Sequence, residues 1–521
     1  MKTALAVSDL DLVKETLAHI VSSSAKKPNI KYIDVRLEAG EGVGSYVEDT
    51  NPKQTSKDWH VSLGIRVIAG NGFAASGFFG QALGISDFQN FAKVLEQGIA
   101  VAAERAILNV KYKEQFKKNY QDFGESIVSV SLAPIEVNQT TVEPEYAIDP
   151  RLITPKEITE YAMQCAIAAK NFHPFIKRVE LVMNTGITRQ IFASSEGALI
   201  DQWYASSGGT IFIISANDKG DTPVDLYHHT GSQLGFEALT EGKNTHEQNF
   251  EDFSKHIASE TVELCNAKPA PATDKPVTVV LDPDLVALFA HEIIGHPSEL
   301  DRALKMETGY AGRSWFFKDL KDNMVGKQVG SSLLTAFSDP TLKGGYGHYL
   351  YDDEGTKAKR VYHIKDGMYH DFMNSRQTAA VLGKEPNGHY KANDASVVPL
   401  IRMSASAIAP GKTDPKKIIS DVEDGYYAVG HRIPSISESR ENFQIAPRLI
   451  YEIKNGQIGQ AYRNGRITAD SKDFFMSIDA LGNDFKIFAI PNCGKGQPMQ
   501  AKQVGNGGPT ARARAKIARG N

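Results

Sequence analysis

Val277-Thr278-Val279-Val280-Leu281-Asp282-Pro283-Asp284-Leu285-Val286-Ala287-Leu288-Phe289-Ala290-His291-Glu292-Ile293-Ile294-Gly295-His296-Pro297 reads as a strand running into a helix. Val277 to Leu281 is a short apolar, β-branched run of the kind that forms a buried strand. Asp282 and Pro283 predict a helix start: an oxygen to cap free N–H groups, then a ring already holding helical φ. Leu285, Val286, Leu288 and Phe289 recur at helical spacing, so the helix is mostly buried. It carries His291, Glu292 and His296 into the interior, where such groups cost free energy unless paired or bound to a metal.

The familiar zinc helix sets its histidines at i and i+4, with Glu beside the first. Here the pattern is HExxxH, which places the two side chains roughly 140° apart on a regular helix. They could not share an ion in that arrangement. Gly295 loosens the backbone and Pro297 biases His296 away from helical angles. The helix is therefore predicted to end, bulge or overwind at Gly295, swinging His296 back toward His291. Spacing alone leaves a second reading open: two unrelated histidines, one buried and hydrogen-bonded, the other at a helix end.

Outward from this stretch, 521 residues exceed one core and predict two or three domains. Hydrophobic residues at 41%, charged residues at 23% and a net charge of -4 describe an ordinary soluble protein, with no push toward nucleic acid or anionic lipid. Cys165, Cys265 and Cys493 are too few and too scattered for a disulfide framework. Asp9 and Asp11 interrupt any signal-peptide core, and no apolar run is long enough to span a membrane, so the expected location is the cytoplasm.

The fold class expected is α+β: an N-terminal α+β region over 1–270, subdivided near 131–153, then a strand-rich C-terminal domain over 274–521 carrying the metal-binding helix. Upstream, an amphipathic helix (Asp9 to Val21), strands at Tyr32 to Glu38 and Val61 to Ala69, and a Gly70-Asn71-Gly72 hairpin into Phe73 to Phe78 make an α+β unit. A helix follows from about Asp87 to Ala106. Thr154-Pro155-Lys156-Glu157 is a capping box opening another. Further strands are read at Ile176 to Met183, Thr188 to Ala193 and Thr210 to Ser215. His228 and His229 adjoin on a strand and point to opposite faces, which argues against a shared ion. Pro269 and Pro271 among small residues mark the boundary before Val277. Downstream, Tyr351-Asp352-Asp353-Glu354-Gly355-Thr356 sets three carboxylates side by side, which repel unless solvated or met by cations. Cys493 lies in a glycine-flanked loop next to Lys495, a neighbour that would favour its thiolate.

HEIIGH with Pro297, Glu299 and Asp301, then YDDEGT, then NCGKGQ, resembles in order and placement the TldD/PmbA family of metalloproteases, often called modulators of DNA gyrase. GIRVIAGNGFAASGF near the start and GNGGPT (Gly505 to Thr510) agree with it. The family's active subunit carries HExxxH and its non-catalytic partner lacks it, so the chain resembles the active type. By that resemblance His291, His296 and Cys493 are zinc ligands, one ion per subunit, and Glu292 is the catalytic carboxylate. Two imidazoles and a thiolate leave a fourth position open for water, and Glu292 beside the first ligand can serve as general base. The resemblance also implies a dimer, with itself or with a related subunit lacking HExxxH, and extended or unfolded peptides as substrates. Asp352, Asp353 and Glu354 are candidates for orienting a ligand histidine through its second N–H. Tyr346, His348 and His431 are candidate oxyanion donors by their place in the same domain.

Two other classes compete. A partner-binding protein with a purely structural metal would have no need of Glu292. A gyrase-associated or nucleic-acid role would rest on Arg512, Arg514, Lys516 and Arg519, a small basic tail without interleaved aromatics.

Overall fold

The structure, a computed structural model, describes residues 5–119, 129–220, 223–307, 309, 312–432 and 434–520. It is α+β throughout. The N-terminal part is built on one sheet: β1 (Ile30–Glu48), β2 (Asn51–Ala69), β3 (Ala75–Ala82), β4 (Gln139–Val142), β5 (Ile176–Ser194), β6 (Leu199–Ser215) and β7 (Val224–Ser232). Its order is β3-β2-β1-β5-β6-β4, with β7 also on β6. β1 and β2 are far longer than the apolar alternation predicts, because β1 continues through Gly40, Gly42 and Gly44. There the missing side chain is used: a Cβ on Gly42 would lie 2.8 Å from the Thr185 carbonyl oxygen.

Side chains alternate along each strand, and this sheet uses its two faces differently. Ile33, Val35 and Leu37 lie under helices α1 (Asp11–Ser24) and α2 (Phe91–Asn119). Val43 and Val47, on the same face further along β1, lie under α3 (Pro155–Lys170) and α4 (Phe250–Asn266). α3 opens with the expected capping box, Thr154 Oγ1 accepting from Glu157 N and Glu157 answering to Thr154 N. The opposite face is polar and buried: Asp34, Arg36 and Glu38 with Arg66, Gln190 and Gln202 in register. It faces the C-terminal part. Gly64 belongs to that face, and a Cβ there would stand 1.8 Å from the Ala395 carbonyl oxygen, so the two backbones meet without an intervening side chain.

Beyond Ala270 one large core gathers the C-terminal residues. β8 (Val277–Leu281) lies between a parallel neighbour, Asp424–Val429, and an antiparallel one at the chain's end. A second sheet contains β9 (Ala405–Ile408), β10 (Lys486–Lys495) and β11 (Gln500–Gly508). Helix α5 (Pro283–Phe289) leaves β8 and crosses onto this second sheet. Asp282 caps it, accepting from Leu285 N at 2.9 Å with Pro283 at the first helical position. The basic tail proves to be no tail: Arg512, Arg514, Lys516 and Arg519 lie on β12 (Ala511–Arg519), beside β8. Arg512 is paired with Asp479 at 2.7 Å, and Arg514 donates to the Pro276 carbonyl. Arg512, Arg514 and Lys516 alternate with buried Ala511, Ala513, Ala515 and Ile517 and form the outward face of a core strand, which Arg519 ends. No helix among the described residues is long and apolar enough to cross a membrane.

Candidate metal centre

The α-helix stops at Phe289, and Ala290–Gly295 forms a π turn followed by a 3-10 turn over His296–Ser298. Bonding from i to i+5 widens the turn to roughly 4.4 residues, so five residues advance the side chain by about one full circle plus 50°. That brings His291 and His296 to one face, their ring centroids 4.7 Å apart at 83°. Of the three outcomes expected, ending, bulging or overwinding, the chain takes the first two: the α-helix ends and a wider turn bulges from it, ahead of Gly295 rather than at it. His296 also stays helical, at φ -56 and ψ -45, despite Pro297. Gly295 serves by its size, since a Cβ there would meet Met403 Sδ at 2.1 Å. Carbonyls left over by the change of register are taken up by side chains: Trp315 Nε1 donates to Ile293 O at 2.9 Å and Ser298 Oγ to Ile294 O at 2.7 Å.

Cys493 arrives on β10 rather than in a loop, and a β-bulge aims it. Ile490 pairs with Val504 but Cys493 with Lys502, one residue more on β10 than on β11. Without that extra residue Asn492 would stand opposite Lys502 and Cys493 would point to the other face. The Cys493 Sγ lies 3.7 Å from His296 Nε2, and the donor atoms of His291, His296 and Cys493 all lie within 4.8 Å of one another. All three residues are buried.

Each imidazole is held from behind. His291 Nδ1 donates to Asn506 Oδ1 at 2.9 Å, and His296 Nδ1 to Glu299 Oε2 at 3.3 Å. Acceptors at Nδ1 put the proton there and leave each Nε2 lone pair facing the thiol. Glu299 is in turn gripped by Arg302 Nε at 2.6 Å and Lys495 Nζ at 3.3 Å, and Lys495 also binds Asp301 at 2.6 Å. Lys495 is thus spent on these carboxylates. Burial would raise the Cys493 thiol, but His291 and His296 outweigh it and hold the group well below its usual range. Burial likewise opposes charge on His291, yet Cys493 and Glu292 raise it to about 9. A thiolate and imidazoles brought together in this way stabilise each other's charge, and the same donors would satisfy a cation. Zinc bonded to one sulfur and two nitrogens would set those donors roughly 3.3–3.7 Å apart. The donor set and its spacing fit zinc.

Glu292 stands at the rim, its side chain 17% exposed, with Arg440 Nη2 3.9 Å from its carboxylate. Burial raises its pKa, but His296, His291 and Arg440 outweigh that and lower it, so it is ionised at neutral pH.

The Asp352–Glu354 cluster is elsewhere, and the expectation that it orients a ligand histidine is corrected. Asp353 binds Arg36 at 3.0 Å and Lys391 at 2.5 Å, while Glu354 binds Arg66 at 2.7 Å and Arg376 N at 2.6 Å. Asp352 accepts from Glu354 N and Thr356 N within its own turn and from Tyr390 N on a distant strand, and burial beside Glu354 pushes it up to about 8. These acids dock the polar face of the N-terminal sheet. Tyr346 donates to Ser207 O, His348 accepts from Gln233 through its carbonyl, and His431 binds Asp284, so none of their contacts leads to the trio. Sequence reading missed Arg440 and Asn506 as contributors. Asn506 lies within GNGGPT and could have been found there; Arg440 has no local signal.

Residues 273–518 match the PmbA/TldA metallopeptidase C-terminal domain. A metalloprotease of Methanocaldococcus jannaschii is 25% identical over 93% of this chain and 96% of its own. A zinc metalloprotease TldD homolog of Saccharolobus solfataricus is 28% identical over 66% of this chain and 72% of its own. Two solved structures share the fold: a protein described as a modulator of a DNA gyrase from Thermotoga maritima, with TM-score 0.71 at 15% identity over 97% of this chain and 100% of that one, and TldE from Thermococcus kodakarensis, with TM-score 0.67 at 14% identity over 98% and 100%. Residues 273–518 thus form a PmbA/TldA metallopeptidase C-terminal domain, and the chain as a whole is similar to metalloproteases of the TldD/PmbA family.

Proposed function

We propose that the chain is a zinc-dependent peptidase acting on extended or unfolded peptides, with 274–521 as its metallopeptidase domain and 1–270 as the region packed over it. His291, His296 and Cys493 hold the ion. Zinc, when bound, supplies a Lewis acid that makes water a nucleophile at neutral pH. The observation that carries the reading is the pairing of a three-donor centre with a carboxylate at its rim: Glu292 is ionised, partly exposed and adjacent to the first donor. A purely structural site leaves such a carboxylate without a purpose.

Glu292 accepts the proton of the attacking water and delivers it to the departing amine nitrogen. Arg440, 3.9 Å from Glu292, helps keep it ionised between turnovers. Glu299 and Asn506 hold the imidazole rings so that both Nε2 atoms stay directed inward. Arg302 and Lys495 balance the buried charge of Glu299. A dimer, with a second copy or with a related subunit lacking HExxxH, accords with the likeness to TldE, and a cytoplasmic location accords with the composition.

The test is zinc analysis together with hydrolysis of unstructured peptides by the wild type and Glu292→Gln. Zinc is expected in both, with turnover reduced about 10²–10⁴-fold in the variant. Equal turnover in the two would remove Glu292 from the chemistry, and a zinc-free wild type would remove the metal.

A further inference from the structure

Cys493 and Lys502 are directly opposed across β10 and β11. Opposed residues of an antiparallel pair share a face, with Cβ atoms roughly 5 Å apart. Lys502 therefore starts from the same face as the thiol and reaches away from it by the length of its own stem. Its Nζ lies 5.8 Å from the centroid of the Tyr349 ring, on which Lys391 Nζ also rests at 5.2 Å. The two lysines differ in one respect. Lys391 is neutralised by Asp353 at 2.5 Å and bonded to Gln190 at 3.0 Å. Lys502 has no carboxylate within ion-pair distance among the described residues.

The surroundings add to the imbalance. Arg402 sits beside the same strands, its guanidinium donating to the carbonyls of Cys493 and Gln500. Burial and the like charges of Lys391 and Arg402 push Lys502 down to about 7, only partly offset by Asp353 and Glu38. Tyr204 Oη, on the sheet face opposite, is buried without a hydrogen-bond partner. Tyr204 and Tyr349, the rings beside these lysines, also wall a cavity of about 700 Å³ between the N-terminal and C-terminal parts. Lys502 is half-buried as a residue, its ammonium being the buried end. A cation so placed lacks an anion, and an anion arriving there restores its charge.

Resting on the peptidase reading above, we propose that Lys502 is a specificity-determining residue that binds a carboxylate of the substrate peptide beside the metal centre. The carboxylate comes from the peptide's C-terminus or from an acidic side chain. Because Lys502 is the cross-strand partner of Cys493, a carboxylate bound by it belongs to a residue close in sequence to the bond presented at the donor trio. A C-terminal carboxylate held there directs cleavage to the last few bonds of the substrate.

One unstructured peptide, prepared as free acid, as C-terminal amide, and as amide with one Glu near its end, separates these cases. Binding is read by fluorescence anisotropy, and hydrolysis by KM and kcat, on zinc-loaded full-length chain. The variants are Lys502→Met and Lys502→Arg. The free acid is expected to bind about tenfold more tightly than the plain amide, as a charge-assisted hydrogen bond supplies. Lys502→Met erases the difference, through KM, and Lys502→Arg keeps it. Recovery of affinity by the Glu-bearing amide assigns the side chain as source; no recovery assigns the C-terminus. Equal binding of all three peptides by the wild type overturns the subsite, and so does Lys502→Met weakening all three alike. A Lys502-dependent preference in binding without any hydrolysis keeps the subsite and discards the peptidase reading.

Discussion

Two of the buried clusters of ionisable groups in this protein differ in what they leave over. Around Asp353 and Glu354 every carboxylate meets a cation or a backbone N–H: Arg36, Arg66, Lys391, Arg376 N and Ala392 N account for them. Among these carboxylates no acceptor is left over. Around Cys493 the bonds are spent on the outer atoms, Asn506 and Glu299 taking the two Nδ1 groups, while two Nε2 atoms and a sulfur converge on one another. Saturation marks a cluster that joins two parts of a fold. Donors left facing inward mark one that binds.

That contrast can be broken in a definite order. Cys493→Ala removes one of three donors, expected to cost about 4 kcal/mol of zinc affinity, roughly a thousandfold. Metal analysis of the folded variant checks it, and full occupancy would dissolve the distinction between the clusters. Asp353→Asn leaves Arg36 and Lys391 as buried, uncompensated charges and is expected to cost about 3 kcal/mol of folding stability. Denaturant unfolding measures that loss, while zinc content per folded chain stays as in the wild type. Asn506→Ala frees the His291 ring without touching a donor atom, so zinc affinity falls about 10- to 100-fold. Competition with a chelator of known affinity reads the change.

The smallest effect concerns the junction between the two parts. His229 is buried, and burial first, then His431, lowers its pKa to about 3. A histidine kept neutral in the fold but free to protonate when unfolded contributes stability above about pH 6.5 and loses it as pH falls toward 3. His229→Gln is expected to flatten the acid limb of the stability curve by about 1.4 kcal/mol per pH unit in that window. Urea midpoints at pH 7, 6 and 5 decide it, and parallel curves for variant and wild type would refute it.

The strand-to-helix stretch was legible because its signals are local: β-branched residues, a capping Asp and a proline at the first helical position all act within a few residues. The trio was legible as a motif resemblance, and the chemistry of its residue types agreed. What was not legible is set across the chain. Whether Asp353 orients a histidine or meets Arg36 depends on which sheet face lies against it, and Arg36 is 317 residues away. The length of β1 was underread because Gly40, Gly42 and Gly44 argue against a strand locally, while neighbouring strands require them. Lys495 looked like the partner of Cys493 because it is near in sequence; its ammonium belongs to Asp301 and Glu299.

The wide turn at Ala290–Gly295 and the bulge between Ile490 and Cys493 have a common arithmetic. Each is a regular element with one residue too many. The metal centre is therefore written partly in the length of the chain, and no exchange of side chains can create or abolish that part. A scan of single-residue deletions would read what a scan of substitutions cannot. Removing Ile293 would restore four-residue spacing between the histidines, yet it would also turn Ser298 and Glu299 by a full helical step away from their present partners. The extra residue in the helix and the extra residue in the strand must agree in phase before the third donor comes into line.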